Sequence, residues 1–280
     1  MPDGRQLGYG EHGDPGGMPI IYNHPMPGSR SFNLDPEALK AHGARVLSLE
    51  RPGLGLSTRA PGRTLRDWAA DVLACADALG FERFAVVAVS AGGPYGWVVA
   101  HDAPDRVTRL GLVCASGPIL EHPEFDEQLE GQLKALLPLA RQDPQTAEAL
   151  LREFLAASAE SYRDDPDRFF EEWLQGWPED QRPLYREAKD RWMSALEAVY
   201  RDTEGFADDI VAGLQWTFDP TDMRVPVRAW HGTADKSAPM GLTRLVVDRA
   251  RGELVEYEGV GHYLGPEYHD EWIRWLVREE

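Results

Sequence analysis

The chain has 280 residues, of which 47 are acidic and 29 are basic, so its formal net charge is −18. This length fits one domain that carries an insertion, and no window holds the roughly 18 consecutive apolar residues of a membrane span. A chain this acidic would be repelled by nucleic acid and by anionic membrane surfaces. We therefore expect neither as a partner, and the sequence leaves the oligomeric state open.

The N-terminal residues contain no basic stretch followed by an apolar one, the pattern of a secretion signal, and this predicts a cytoplasmic protein. Both cysteines, Cys75 and Cys114, lie inside apolar segments, and we interpret them as buried free thiols. No cluster of His, Cys and acidic residues has the spacing of metal ligands, so no metal or other cofactor is expected.

Between residues 18 and 116, short apolar runs alternate with helix-period stretches, the pattern of a mostly parallel sheet with helices on both faces. Residues 5–11 precede a Gly/Pro-rich turn and predict an antiparallel edge strand. Further strands are expected at residues 20–22, 46–49, 85–89 and 110–114. Thr64 and Asp67 form a capping-box-like start for a helix that Gly80 ends.

Residues 119–218 are rich in helical patterns and hold 23 acidic against 10 basic residues, so most of the negative charge lies there. The strand and helix alternation then resumes, with strands expected at residues 225–230 and 253–257 and helices at residues 240–250 and 268–277. We predict an α/β core of residues 1–117 and 219–280 and an inserted helical lid of residues 118–218.

Residues 84–97 predict a buried strand that ends at Ser90 and a helix that begins directly behind it. Such a tight turn requires small residues two positions before and after the serine, and Ala88 and Gly92 meet this requirement. The serine would lie at the helix N-terminus, where the helix dipole favours developing negative charge. Taken alone, the pattern is equally that of a serine that caps a helix.

A serine hydroxyl becomes a good nucleophile when a histidine accepts its proton and a carboxylate orients that histidine. Asp235 follows the strand expected at residues 225–230, and His262 lies in a glycine-rich loop after the last expected strand. Both positions, like that of Ser90, are at the carboxyl ends of strands, where the sites of open α/β sheets gather. The alternatives are an Asx turn at Asp235 and a solvated loop histidine at 262.

The turn at Ser90 resembles the nucleophile elbow of the α/β-hydrolase family, written G-x-S-x-G, with Ala88 in place of the first glycine. The family's order of nucleophile, acid and histidine matches Ser90, Asp235 and His262. Residues 49–57 resemble the family's D-R-P-G-x-G-x-S loop, with Glu instead of Asp. The resemblance covers residues 5–116 and 222–280 and implies the α/β-hydrolase fold.

The resemblance also implies two amide donors for an oxyanion. One is the N–H of Ala91, the residue after the nucleophile. The other is the N–H of Met26, because residues 24–29 resemble the family's H-G-x-P-G-S segment, with Pro25 in the glycine position. A tight turn also makes the Met26-Pro27 bond a candidate cis peptide.

The implied reaction is acyl transfer to water from a small or medium apolar carbonyl substrate, with a carboxylic ester favoured and a lactone or C–C diketone left open. A serine at the elbow disfavours the dehalogenases and epoxide hydrolases of this fold, which use aspartate. Two alternatives stay open: an aminopeptidase or amidase of the prolyl aminopeptidase type, and a ligand-binding or biosynthetic member that does not hydrolyse.

The substrate pocket is expected to be apolar and roofed by aromatic residues of the lid. The opposing interpretation is that each of these aromatic residues simply forms the core of the lid. The residues expected to contact substrate are His24, Tyr95, Trp173, Trp177, Trp192 and Trp216.

Overall fold

A seven-stranded sheet forms the centre of the computed structural model, which describes residues 1–130 and 132–278. Its strands, in chain order, are β1 (Tyr9–Gly13), β2 (Met18–Asn23), β3 (Ala44–Leu49), β4 (Phe84–Val89), β5 (Val107–Val113), β6 (Val227–Gly232) and β7 (Glu253–Tyr257). The spatial order is β1-β3-β2-β4-β5-β6-β7, with β1 antiparallel to β3 and the remaining neighbours parallel. The mostly parallel sheet predicted from the sequence is confirmed.

Helices flank the sheet and fill the segment between β5 and β6. In chain order they are α1 (Pro36–Ala41), α2 (Leu65–Ala78), α3 (Gly93–Asp102), α4 (Gln132–Gln142), α5 (Pro144–Asp164), α6 (Pro166–Leu174), α7 (Arg182–Glu187), α8 (Lys189–Tyr200), α9 (Thr203–Leu214), α10 (Met240–Arg249) and α11 (His269–Leu276). In the part of the chain that the structure describes, no helix is both long enough and apolar enough to cross a bilayer.

Alternate residues of the strands pack against different helices, as the period of two in a strand requires. Ile20 belongs to an apolar cluster with residues of α1 and α11. Its neighbour Ile21 belongs to a second cluster with residues of α2, α3 and α10. Helices therefore cover both faces of the sheet. The start of α2 is the predicted capping box of Thr64 and Asp67.

Most strand boundaries differ from the prediction by one to four residues, and two of these shifts have a local cause. The edge strand begins at Tyr9 instead of residue 5, because the preceding backbone bonds the loop after β3: the amide of Gly8 donates to Ser57 Oγ at 2.9 Å. The strand β6 begins two residues later than expected, at Val227, since Pro226 has no amide to donate to a ladder.

The described residues between β5 and β6 are helical, and α9 is joined to the core by a buried ion pair. Nε of Arg51, in the loop after β3, donates to both carboxylate oxygens of Asp209 at 2.9 and 3.0 Å. Arg63 bonds the same carboxylate, and the Asp209 and Arg51 side chains are fully buried. The division into a core and a lid of residues 118–218 stays a prediction.

Candidate active site

Ser90 lies at the carboxyl end of β4, where the chain turns through a short 3₁₀ helix (Ser90–Gly92) into α3. Its φ of +53° lies in the left-handed region, which costs a non-glycine residue about 1–3 kcal/mol and persists where the surroundings hold it. A Cβ at position 92 would collide with the carbonyl oxygen of Asn23. Glycine is therefore required at position 92 by the neighbouring strand.

Ala88, the small residue two positions before the serine, packs against Gly96 of α3. A Cβ added at Gly96 would lie 2.5 Å from the Cβ of Ala88. The residue two positions before the serine therefore faces the second turn of α3 instead of facing Gly92. Both residues must stay small so that α3 packs closely on β4.

The structure brings Ser90, His262 and Asp235 into one hydrogen-bonded chain. His262 Nε2 lies 2.9 Å from Ser90 Oγ, and His262 Nδ1 lies 2.7 Å from Asp235 Oδ2. The loops after β6 and β7 that carry the acid and the histidine are tied together, because the amide of Ala234 donates to the carbonyl of Val260 at 2.9 Å. Three groups that are far apart in the sequence thus lie within proton-transfer distance.

The Asp235 carboxylate is buried and fully engaged. Its Oδ1 accepts hydrogen bonds from the amides of Ser237 at 2.7 Å and Ala238 at 3.0 Å. Burial by itself would raise the pKa of this carboxyl, but the charge of His262 and the hydrogen bonds from His231 and His262 outweigh it, and the pKa lies well below its usual range. The group is therefore a carboxylate at neutral pH and can hold the Nδ1–H of His262.

His231, which the sequence analysis did not single out, lies near the end of β6 and close to Asp235. Its Nε2 lies 3.1 Å from Asp235 Oδ2 and 3.2 Å from the carbonyl of Ala238. The side chain is fully buried and gives the carboxylate a second imidazole donor besides His262. The sequence feature that could have identified His231 is its position four residues before Asp235, at the end of the strand that precedes this acid.

Cys114 also lies near this chain, because its Sγ and the ligand atoms of Asp235 and His262 are all within 4.8 Å of one another. Burial, and then the charge of Asp235, raise the pKa of the thiol well above its usual value. A protonated thiol is a poor metal ligand, and the other two side chains already bond each other. Both cysteines are free and buried, as predicted.

The amides of Met26 and Ala91 lie beside the serine. The two residues and Ser90 line one cavity, and the Met26-Pro27 bond is cis, as expected. Within residues 1–130 and 132–278, the amide of Met26 donates to no protein acceptor. Ala91 lies in the first turn of a helix, where amides have no partner inside the helix. Their role as donors to an oxyanion stays a prediction.

Two cavities meet at Ser90 and His262. The first, here called the apolar cavity, has a volume of about 270 Å³ and is lined by Ile119, Leu129, Ile210, Leu214 and Leu242. The second, here called the aromatic cavity, has a volume of about 60 Å³ and is lined by Tyr22, Phe32, Tyr185, Trp192, Tyr263 and Trp272.

Trp177 lines both cavities. Its ring lies parallel to that of His262, with the centroids 5.9 Å apart and an interplanar angle of 19°. The segment between β5 and β6 therefore covers the imidazole directly.

Three residues expected to contact substrate do line a cavity: Tyr95 lines the apolar cavity, Trp192 the aromatic cavity, and Trp177 both. Their contact with a substrate stays a prediction. The tyrosine hydroxyl is not free, since it donates to the backbone carbonyl of Asp209 at 2.6 Å.

The other three expected contact residues line neither cavity. Trp173 packs behind Trp177 and Trp192 at centroid distances of 5.5 and 5.3 Å. Trp216 stacks on Phe218 at 4.4 Å. Contact of these two residues with a substrate stays a prediction, and both side chains pack in aromatic clusters outside the two cavities.

His24 is fully buried in the loop after β2, and its Nδ1 lies 2.8 Å from the carbonyl of Pro25. Burial and the charge of Arg51 lower the pKa of this histidine to about 3. The ring is therefore neutral, and it shapes the loop that carries Met26 instead of lining a cavity.

The chain belongs to the α/β-hydrolase family: the family model described as alpha/beta hydrolase fold matches residues 18–267. It is therefore an enzyme of the hydrolase class. A curated relative is the non-heme chloroperoxidase of Streptomyces lividans, which is 29% identical over 272 residues, 93% of this chain and 90% of that protein.

Two solved structures share the fold at low sequence identity. A hydrolase from Pseudomonas aeruginosa PA01 matches with a TM-score of 0.71 and 22% identity over 99% of this chain and 96% of that one. The enol-lactonase from Burkholderia xenovorans LB400 matches with a TM-score of 0.64 and 20% identity over 98% of this chain and 96% of that one.

Proposed function

We propose that this chain is a serine hydrolase that transfers the acyl group of a small or medium carboxylic ester to water. The observation that carries the proposal is the hydrogen-bonded chain from Ser90 Oγ through His262 to the buried Asp235 carboxylate. The left-handed backbone at Ser90 supports the proposal, as does the amide of Met26, which has no acceptor among the described residues. We assign Ser90, Asp235 and His262 as the catalytic triad.

In the first half of the proposed reaction, Ser90 Oγ attacks the ester carbonyl and gives its proton to His262 Nε2. The amides of Met26 and Ala91 stabilise the oxyanion. The protonated imidazole, held by Asp235, then gives the proton to the leaving alcohol, and an acyl-serine ester remains.

In the second half, water takes the place of the alcohol. His262 Nε2 accepts a proton from the water as its oxygen attacks the acyl-serine carbonyl. The tetrahedral intermediate uses the same two amides, and its collapse returns the proton to Ser90 Oγ and releases the carboxylic acid. Every proton that leaves a nucleophile thus passes through one ring nitrogen.

The lining of the cavities favours an ester over the substrate of an aminopeptidase, whose free amine would need a carboxylate partner. No described residue that lines the aromatic cavity is acidic. Asp209, the acidic residue among the described lining of the apolar cavity, already bonds Arg51 and Arg63. A lactone is an internal ester and belongs to the same proposed substrate class.

We further infer that residues 118–218 act as a lid. Side chains of α7, α8 and α9, namely Tyr185, Trp192 and Ile210, contribute to the walls of the two cavities that meet at Ser90. A substrate bound at the serine would therefore be enclosed between the sheet and this segment, which excludes water from the oxyanion.

The test is covalent labelling with a fluorophosphonate, read by intact mass and peptide mapping. We expect one adduct on Ser90, none in Ser90→Ala, and an unchanged adduct in Ser194→Ala, a serine of α8 that lines neither cavity. Ser90→Ala is expected to lower the hydrolysis of a short-chain aryl ester by at least ~10³-fold with little change in Tm. Full turnover by Ser90→Ala would show that another group is the nucleophile.

A further inference from the structure

Arg191 lines the aromatic cavity and has no hydrogen-bond or ion-pair partner among the residues that the structure describes. It lies in the first turn of α8, is half-buried, and places its guanidinium carbon 5.8 Å from the centroid of the Phe32 ring. Within residues 1–130 and 132–278 it forms no ion pair, although Arg186 and Lys189, which precede it in the chain, both do. A cation in the first turn opposes the helix dipole, so the stability of α8 does not explain this position.

The acidic groups near Arg191 lie outside the cavity. Glu187, Asp190 and Glu267 share an adjoining surface groove with it, yet none of the three forms an ion pair with the guanidinium. The described residues that line the aromatic cavity carry no carboxylate. The positive charge beside the cavity is therefore not neutralised from within it.

The charge of Arg191 acts on the polar groups of the cavity. Burial raises the pKa of the Tyr22 and Tyr263 hydroxyls, and the charge of Arg191 opposes that rise in both. Burial, and then Arg191, lower the pKa of His269 to about 4. Arg191 thus exerts the largest charge effect on all three groups, and the carboxylates that oppose it at Tyr263 and His269 lie outside the lining of the cavity.

The same cavity contains further hydrogen-bond donors. Nδ1 of His269 accepts a hydrogen bond from the amide of Asp35 at 2.8 Å, so in the neutral ring the proton is on Nε2. Nε1–H of Trp192 is buried and has no partner among the described residues. A buried donor without a partner is unfavourable, and a ligand oxygen would accept its hydrogen bond.

We propose that the aromatic cavity binds a carboxylate of the substrate, paired with Arg191, so that the enzyme prefers esters or lactones that carry a carboxylate a few bonds from the scissile carbonyl. This inference rests on the proposed function, because it assigns the substrate of the same serine. The small volume of the cavity suits a compact anion, and the larger apolar cavity takes the remaining part of the substrate.

The experiment compares pairs of esters in which one carboxylate is free in one member and methylated in the other, with turnover counted per scissile ester bond. Monomethyl adipate against dimethyl adipate carries the carboxylate on the acyl side, and 4-acetoxybenzoate against its methyl ester carries it on the alcohol side. We expect wild-type kcat/KM to be higher for the anion in at least one pair. Arg191→Gln should lower kcat/KM for that anion at least about tenfold more than for its neutral partner, and Arg191→Lys should restore part of the preference.

The matched control is Arg163→Gln, which removes one exposed positive charge of α5 that lines neither cavity. It should leave the ratio of anionic to neutral turnover unchanged. Equal turnover within both wild-type pairs, or an equal effect of Arg191→Gln on both members of a pair, would overturn the proposal.

A binding measurement separates this inference from the proposed hydrolysis. Adipate is titrated against tryptophan fluorescence, since Trp177 and Trp192 lie at the cavity. Saturable quenching in wild type that Arg191→Gln weakens at least about tenfold supports the anion site even if no ester is hydrolysed. Absent quenching in wild type, joined to turnover that ignores charge, refutes the site while leaving the hydrolase intact.

Discussion

Replacement of Asp209 by Asn tests whether the buried ion pairs hold α9 against the core. The variant keeps the shape of the side chain but removes the negative charge that contacts Arg51 and Arg63. Removing one partner of a buried pair costs about 3–5 kcal/mol. Because the Asn oxygen can still accept one hydrogen bond, we expect the lower end, about 3 kcal/mol.

The loss is measured as the free energy of unfolding in urea at pH 7. A loss of this size is a fifth or more of the ~5–15 kcal/mol that stabilises a typical domain. Asp164→Asn, at the exposed end of α5, removes the same charge without a buried partner and should change the free energy by no more than ~0.5 kcal/mol.

The effect should also depend on pH. Burial opposes ionisation of Asp209, but the charges of Arg51 and Arg63 lower its pKa from 3.8 to about 2. A lowered folded-state pKa stabilises the fold above the unfolded pKa, and this contribution is lost as pH falls from about 4 towards 2. The difference in free energy of unfolding between wild type and Asp209→Asn should therefore become smaller as pH falls over that range.

Two results would refute this reasoning about the anchor of α9. One is a free energy of unfolding for Asp209→Asn that lies within ~1 kcal/mol of the wild-type value at pH 7. This would show that the guanidinium groups find other partners. The other is a gap that stays constant as pH falls below 4, because the lost charge would then not be its cause.

Two further variants test the site itself. Asp235→Asn should lower kcat for an aryl ester about 10³–10⁴-fold, because an amide cannot hold the Nδ1–H of His262 as a carboxylate does; stopped-flow and steady-state assays measure it, and a loss below tenfold would contradict the assigned role. Gly92→Ala should cost at least ~1–3 kcal/mol in urea unfolding, because its Cβ would collide with the Asn23 carbonyl. Gly16→Ala, whose Cβ meets only a side-chain oxygen at 3.6 Å, is the control, and equal stability of the two variants would contradict the steric argument.

The sheet was predictable because its central strands are short apolar runs between turn residues. The last strand, Glu253–Tyr257, has the expected bounds. The edge strand was displaced because the amides of Gln6 and Gly8 bond Thr58 and Ser57. Hydrogen bonds between segments about 50 residues apart leave no local pattern, so the sequence alone could not exclude a strand there.

The grouping of Ser90, Asp235 and His262 was predictable from the pattern of strands. Each of the three residues follows a strand, and parallel strands end at one edge of a sheet. The sequence analysis did not single out His231 or Arg191, because the proposed role of each depends on its neighbours in the folded structure. His231 matters through a carboxylate four residues away, and Arg191 through the docking of α8 over the sheet, which no spacing in the chain encodes.

The acidity of the inserted segment shows why net charge does not predict the sign of a site. Acidic residues of α9 are used in ion pairs with arginines, as in the contacts of Asp208 with Arg59 and Arg152. Part of the negative charge of the segment between β5 and β6 is therefore paired with arginines of the core and of its own helices. The described lining of the aromatic cavity holds the Arg191 guanidinium and no carboxylate. An acidic chain can thus present a positive charge to a substrate, and we expect the variant at Asp209 to change stability and those at Arg191 to change substrate choice.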